Sequence, residues 1–197
     1  MTDWVQWHAE YEIPGSSLAR RLSVVQEHIR AVLPSQPRVI SMCAGDGRDV
    51  LPLLPPDASG ILVELDPSLS RQAEAQAARL GLRHLAVRNE DAGRIDAYLS
   101  AAPASLVLAC GVFGNVSDDD VRRTIEALPT LLDEGGHVIW TRAGASAAFV
   151  RECFAASGFE EVAFTEPADA KFRVGTHRLS ADPRPPIPGT RLFDFVN

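Results

Sequence analysis

Apolar and polar positions along the chain alternate with two different periods. Val39-Ile40-Ser41-Met42 is a short apolar run, fit for one buried strand, and it ends in Cys43-Ala44-Gly45-Asp46-Gly47. Asp49 to Leu54 has the length of a short helix cut by Pro55-Pro56. Ile61 to Leu65 repeats the strand pattern, and Ser68 to Leu80 has helical periodicity stopped by Gly81. Leu85 to Arg88 and the very apolar Ser105 to Ala109 are the third and fourth strands. Ser117 caps a helix running to Leu132, with Asp118, Asp119 and Asp120 in its first turn, where negative charge suits the helix dipole. Gly135-Gly136 turns the chain into a fifth strand, His137 to Thr141, and a helix from Ala145 to Ser157 ends at Gly158.

Strand and helix in alternation predict a parallel sheet covered on both faces. The end of the chain breaks that rhythm. Glu160 to Glu166 and Lys171 to Ser180 are two strands joined by a turn around Pro167-Asp169, too short for a parallel crossover. One strand of the pair therefore runs antiparallel to the rest. Before the first strand, Trp4, Trp7, His8 and Tyr11 share one helical face, and Leu18 to Leu33 forms a second helix ended by Pro34. After the hairpin, Pro183 to Pro188 is an irregular tail, and Phe193 and Phe195 are placed to pin it to the core. The expected layout is one α/β domain over residues 1–197: a helical lid over 1–34, a Rossmann-like core over 38–180 and a tail over 181–197.

Composition narrows the function. The chain has 197 residues, 46% hydrophobic and 23% charged, the profile of a globular protein with one full-sized core. No run approaches the roughly 18 apolar residues of a membrane span. Residues 1–12 carry Asp3, Glu10 and Glu12 and no Lys or Arg, the wrong charges for a secretory signal, so a cytoplasmic location is expected. Cys43, Cys110 and Cys153 are odd in number and widely spaced, which suits neither a disulfide framework nor a metal site. A formal net charge of -7 favours a small-molecule substrate over nucleic acid.

The chemistry collects where the predicted strands end, which is where open α/β sheets bind ligands. Gly45 and Gly47 allow close approach of backbone, and a tight strand-to-helix turn aims free N–H groups outward. Glu64 closes the second strand 19 residues after Gly45, the spacing at which nucleotide-binding βαβ units place an acid for ribose hydroxyls. Asp91 and Ala92 follow the third strand, where a carboxylate and a backbone N–H can read an adenine edge; Asp91 equally suits a helix N-cap. Cys110-Gly111-Val112-Phe113-Gly114-Asn115 ends the fourth strand in a close-fitting floor.

Together these segments resemble the class I S-adenosylmethionine-dependent methyltransferases, over about Val39 to Ser180. "VISMCAGDGRD" stands where that family has its glycine-rich motif, and "ILVELDP" is similar to its ribose-binding strand. "RNEDAG" resembles the adenine-binding pair, "SLVLACGVFGNVSDDD" the fourth strand and its loop, and "LLDEGGHVIWTR" the turn into the fifth. The resemblance implies a seven-stranded, mostly parallel sheet with helices on both faces, a C-terminal antiparallel hairpin, and S-adenosylmethionine as cofactor. It implies cofactor contacts from Cys43, Ala44, Gly45, Asp46, Gly47, Glu64, Leu65, Asp91, Ala92, Cys110, Gly111 and Phe113. "WHAEYEIPGSSLARR" resembles the family's lid, with Tyr11 and Arg20 as candidates for the methionine carboxylate. Two positions depart from the family pattern: Ser41 replaces an acid and Cys43 replaces the first glycine, leaving Asp46 or Asp49 to substitute electrostatically.

Methyl transfer mainly requires a nucleophile held in line with the sulfonium methyl. His8 is the candidate base for an acceptor that must lose a proton, and Arg142 the candidate partner for an anionic acceptor group. Rival functions are an NAD(P)-dependent oxidoreductase, a non-catalytic S-adenosylmethionine-binding module and an aminopropyl transferase. Against the first, the third glycine of a G-x-G-x-x-G fingerprint counted from Gly45 falls on Val50, and with Lys171 as the sole lysine no Tyr-x-x-x-Lys pair exists.

Overall fold

The computed structural model describes residues 9–144 and 147–196. Its centre is a seven-stranded sheet: β1 (Arg38–Met42), β2 (Ser59–Val63), β3 (His84–Arg88), β4 (Ala104–Ala109), β5 (Leu132–Ala143), β6 (Phe159–Thr165) and β7 (Phe172–Leu179). The spatial order is β3-β2-β1-β4-β5-β7-β6. β1 to β5 are mutually parallel, whereas β7 runs antiparallel to both β5 and β6. The chain winds outward from β1 through β2 to β3, then returns to β4 on the other side of β1, so the β1–β4 crevice is the switch point.

Among the described residues four α-helices cover the sheet: α1 (Ser17–Val32), α2 (Pro67–Arg79), α3 (Asp118–Ala127) and α4 (Ala148–Ala156). Side chains of the central strands alternate between two apolar layers, as a sheet buried on both faces requires. Val39, Leu62, Leu106, Leu108 and Ile139 meet Val25 and Ile29 of α1 and Ala73 and Ala77 of α2. Ile40, Ile61, Val107, Val138 and Trp140 meet Val121 and Ile125 of α3 and Val150 and Phe154 of α4. Oxygen acceptors cap three of these helices at Ser16, Asp66 and Ser117. Among the described residues no helix is long and apolar enough to cross a membrane.

The architecture is the α/β sheet with a closing hairpin that the sequence predicts, and the differences are local. Pro129 has no N–H to continue a helix, so α3 stops at Ala127, a 3-10 turn Leu128–Thr130 follows, and β5 already begins at Leu132. Gly135-Gly136 therefore lies inside β5 as an irregularity: the pairing steps from Ala104↔Leu132 to Leu106↔His137. The segment after Gly47 winds only as the 3-10 turn Leu51–Leu53. No α-helix follows Asp91; the chain makes the 3-10 turn Ile95–Tyr98 instead. Trp4, Trp7 and His8 lie outside the described residues, and Tyr11 sits on the 3-10 turn Ala9–Glu12. The Trp140 indole of β5 lies against Gly175 of β7, where an added Cβ would run into the ring. β6 forms one edge of the sheet, with Glu160, Glu161 and Val162 exposed and a register slip between Glu161 and Ala163.

Candidate functional site

The loops after β1, β2, β3, β4 and β5 enclose one cavity of about 750 Å³ at the switch point. Its first wall is the β1 loop. Cys43 has φ 52, a left-handed conformation that costs a residue with a Cβ on the order of 1 kcal/mol. The methyltransferases that this loop resembles have a glycine here, and the backbone of Cys43 keeps a glycine-like geometry. The Ala44 N–H donates to the Val63 carbonyl at 3.0 Å, fixing the loop to β2.

Glu64 ties two loops together. Its Oε2 accepts from the Gly45 N–H and its Oε1 from the Asp66 N–H, both at 2.8 Å. A carboxylate offers about four lone-pair sites. Two are used in holding the loops, and each oxygen keeps one for a ligand. Asp66 in turn caps α2, accepting from the Ser68 and Leu69 N–H groups, and the Asn89 amide donates to the Glu64 and Leu65 carbonyls.

Asp91 lines the cavity with both oxygens engaged. Oδ1 accepts from the Gly93 N–H at 2.9 Å, and Oδ2 is ion-paired with Arg191. The tail follows that arginine across the site. Ile95 N–H donates to the Thr190 carbonyl, Leu192 N–H to the Gly93 carbonyl and Val196 N–H to the Asn115 carbonyl. Phe193 and Phe195 pack edge to face, with ring centroids 5.7 Å apart, and both line the cavity.

Toward the helix α1 the wall is a charged cluster. Arg21 donates to the Tyr11 hydroxyl, and the Arg48 guanidinium lies 4.6 Å from the Tyr11 ring centroid. Arg48 also grips Asp46 through Nε at 2.9 Å and Nη2 at 2.5 Å. Burial pushes the Tyr11 phenol well above its ordinary range, helped by the nearby Asp49 charge. Burial likewise raises the Cys43 and Cys110 thiols. These three groups stay protonated at neutral pH, and none is a base.

Of the residues singled out from the sequence, Tyr11, Cys43, Ala44, Gly45, Asp46, Glu64, Leu65, Asp91, Ala92, Cys110, Gly111 and Arg142 line the cavity together. Three lie elsewhere. Arg20 is 41% exposed and faces Asp169 at 2.7 Å. Gly47 packs inward, where a Cβ would meet Leu51 and Leu62. Phe113 is fully buried between Trp140 and Phe154. His8 is outside the described residues; none of the histidines described lines the cavity.

Asp49, expected as an electrostatic substitute, also lines it, and so do Phe193 and Phe195, expected only to pin the tail; Arg21, Arg48, Asp66, Phe172 and Val196 line it without having been singled out from the sequence. For Arg21 a signal existed. The buried stripe of α1 is Leu18, Arg21, Val25, His28 and Ile29, and a lone arginine on an apolar stripe is a site candidate.

No family model matches this sequence, and no curated protein matches it either. Solved structures match by shape. A magnesium protoporphyrin IX methyltransferase from Synechocystis, crystallised with bound S-adenosylmethionine, superposes with TM-score 0.68 at 16% identity, over 91% of this chain and 86% of that one. A possible exported protein from Bordetella parapertussis gives 0.68 at 16% identity, over 82% and 68%. A ribosomal protein L11 methylase from Lactobacillus delbrueckii gives 0.63 at 14% identity, over 82% and 80%. At these identities the likeness is one of fold. The fold is that of the class I S-adenosylmethionine-dependent methyltransferases.

Proposed function

We propose that this chain is an S-adenosylmethionine-dependent methyltransferase acting on a small-molecule acceptor. The observation that carries it is Glu64. Its carboxylate joins the glycine loop to the start of α2 at the cavity wall and retains one acceptor site per oxygen, the pattern a vicinal diol requires. The donor set around it fits the rest of the ligand. Ala92 and Asp91 stand at the adenine end, the Cys43–Asp46 backbone follows the chain between the ends, and Arg21 with Tyr11 offers a cation and a hydroxyl for an amino-acid carboxylate.

When bound, S-adenosylmethionine supplies a methyl group activated by its sulfonium charge. The protein's share is to orient the acceptor and exclude water. Phe193, Phe195 and Phe172 supply apolar wall beside the β4 and β5 loops. Tyr11, held protonated by burial, serves as a donor. A cavity of about 750 Å³ is in the range of small-molecule sites, and the net charge of -7 repels nucleic-acid phosphates. The three thiols are all free, which suits a reducing cytoplasm.

Calorimetric titration with S-adenosylmethionine, S-adenosylhomocysteine and NADH tests the proposal. Micromolar binding of the two adenosyl ligands and none of NADH is expected. Glu64→Gln should weaken binding by about 10- to 100-fold, since a hydrogen bond to a charged group contributes about 1.5–3 kcal/mol. Folded protein that binds neither adenosyl ligand would overturn it.

A further inference from the structure

Arg142 follows Trp140 by two residues on β5, so both point to the α3–α4 face of the sheet. Its side chain is 10% exposed, and it lines the cavity. Nη2 pairs with Asp118 at 3.0 Å. Nε and Nη1 are buried, and neither has a hydrogen-bond partner among the described residues. Unmet donors on a buried cation are costly and are rarely kept without a use.

The surroundings identify what they await. A Cβ at Gly114 would meet the Ala143 backbone next to Arg142, Asn115 is bonded to Val196, and Val116 bridges to Phe195. Arg142 therefore stands beside the loop on which the aromatic tail is pinned. The local charge limits the ligand. Asp119 and Asp120 are paired with Arg122 and Arg123, but Asp118 already holds Nη2 of Arg142, so a dianionic phosphate would meet that carboxylate at the same guanidinium. A carboxylate brings one negative charge and a planar pair of oxygens suited to an arginine. From this we infer that the acceptor carries a carboxylate on an aromatic or otherwise apolar body, and that Arg142 binds it.

The inference rests on the methyltransferase reading for the word acceptor, but the anion site is separately testable. The full chain is titrated with 3-phenylpropionate, its methyl ester and phenyl phosphate, with and without S-adenosylhomocysteine. The acid should bind about tenfold or more tighter than the ester, as one charge-assisted contact implies. Arg142→Gln should abolish that preference and leave ester binding unchanged, and Arg142→Lys should keep part of it. Asp118→Asn removes the competitor for Nη2 and should strengthen acid binding severalfold without moving the ester. Thermal unfolding checks that each variant folds; if Arg142→Gln does not, Asp118→Asn decides, and unchanged acid affinity there overturns the inference. So does an acid that binds no better than the ester, or a phosphate that binds better than the acid. An Arg142-dependent acid preference without S-adenosylhomocysteine binding would keep the anion site and sink the methyltransferase reading. S-adenosylhomocysteine binding without the preference would sink only the anion site.

Discussion

At the β1–β2 end of the cavity the acids are anchored to the protein: Glu64 to two backbone N–H groups, Asp66 to the start of α2, Asp46 to Arg48. At the β4–β5 end a buried guanidinium keeps two nitrogens unmet. The first end is organised before any ligand arrives, so binding there costs little ordering. The second end holds polar capacity in reserve, which is how a site discriminates: a ligand lacking the matching group leaves buried donors unpaired. On the proposed function, the first end would serve a fixed cofactor and the second would select among acceptors.

The contrast can be broken in several places. The largest effect is expected from Arg21→Ala, which removes the cation beside Tyr11 and should weaken S-adenosylhomocysteine binding by about 10- to 100-fold. Arg20→Ala, one residue away and directed at Asp169, should change it less than about twofold. Equal effects from the two would dissolve the assignment of the organised end to the methionine carboxylate.

A second test concerns the aromatic layer around Trp140. His177 is buried, accepts from the Trp140 indole at 3.1 Å and stacks on Phe154 at 4.2 Å. Burial lowers its pKa from the ordinary 6.5 to about 4. Between these values the unfolded chain binds the proton and the folded chain does not, so stability falls as pH drops from about 6.5 to about 4. The loss from this group should reach about 3 kcal/mol at its low-pH limit. Urea unfolding at pH 7 and pH 4.5 should show a smaller difference in His177→Gln than in the parent. An unchanged difference would mean that other groups carry the acid sensitivity.

Gly175→Ala would push a methyl into the Trp140 ring and should destabilise by about 1–3 kcal/mol, with S-adenosylhomocysteine affinity unchanged once folded. The smallest effect is expected at Cys43→Gly. Relief of the left-handed backbone should offset the added freedom of the unfolded glycine, moving the melting temperature by no more than a few degrees. A large loss of stability would show that the thiol's packing matters more than the dihedral.

Much of the fold follows from period alone, because buried strands and amphipathic helices write different repeats. The boundaries that escaped are set by single backbone groups. Pro129 ends α3 early, and the chain between Leu132 and His137 bulges rather than turns, since β4 pairs on both sides of the glycines. At the site, Gly45 and Glu64 were legible because their spacing along the chain implies their meeting in space. Arg20 and Arg21 are a single residue apart, about 100° around a helix, and only the buried stripe separates them. Phe113 was placed with the cavity by its neighbours in sequence, yet its ring turns into the Trp140 layer. The Arg191–Asp91 pair spans 100 residues, and no local pattern announces it.

The edge at β6 has a consequence for life in a crowded solution. An outermost strand offers a row of unpaired backbone groups to any passing chain. Here two successive glutamates, Glu160 and Glu161, stand on that rim, and the slip before Ala163 puts the strand out of step with a straight partner. Such a rim is a poor template for sheet-to-sheet aggregation, so this edge discourages the addition of another strand.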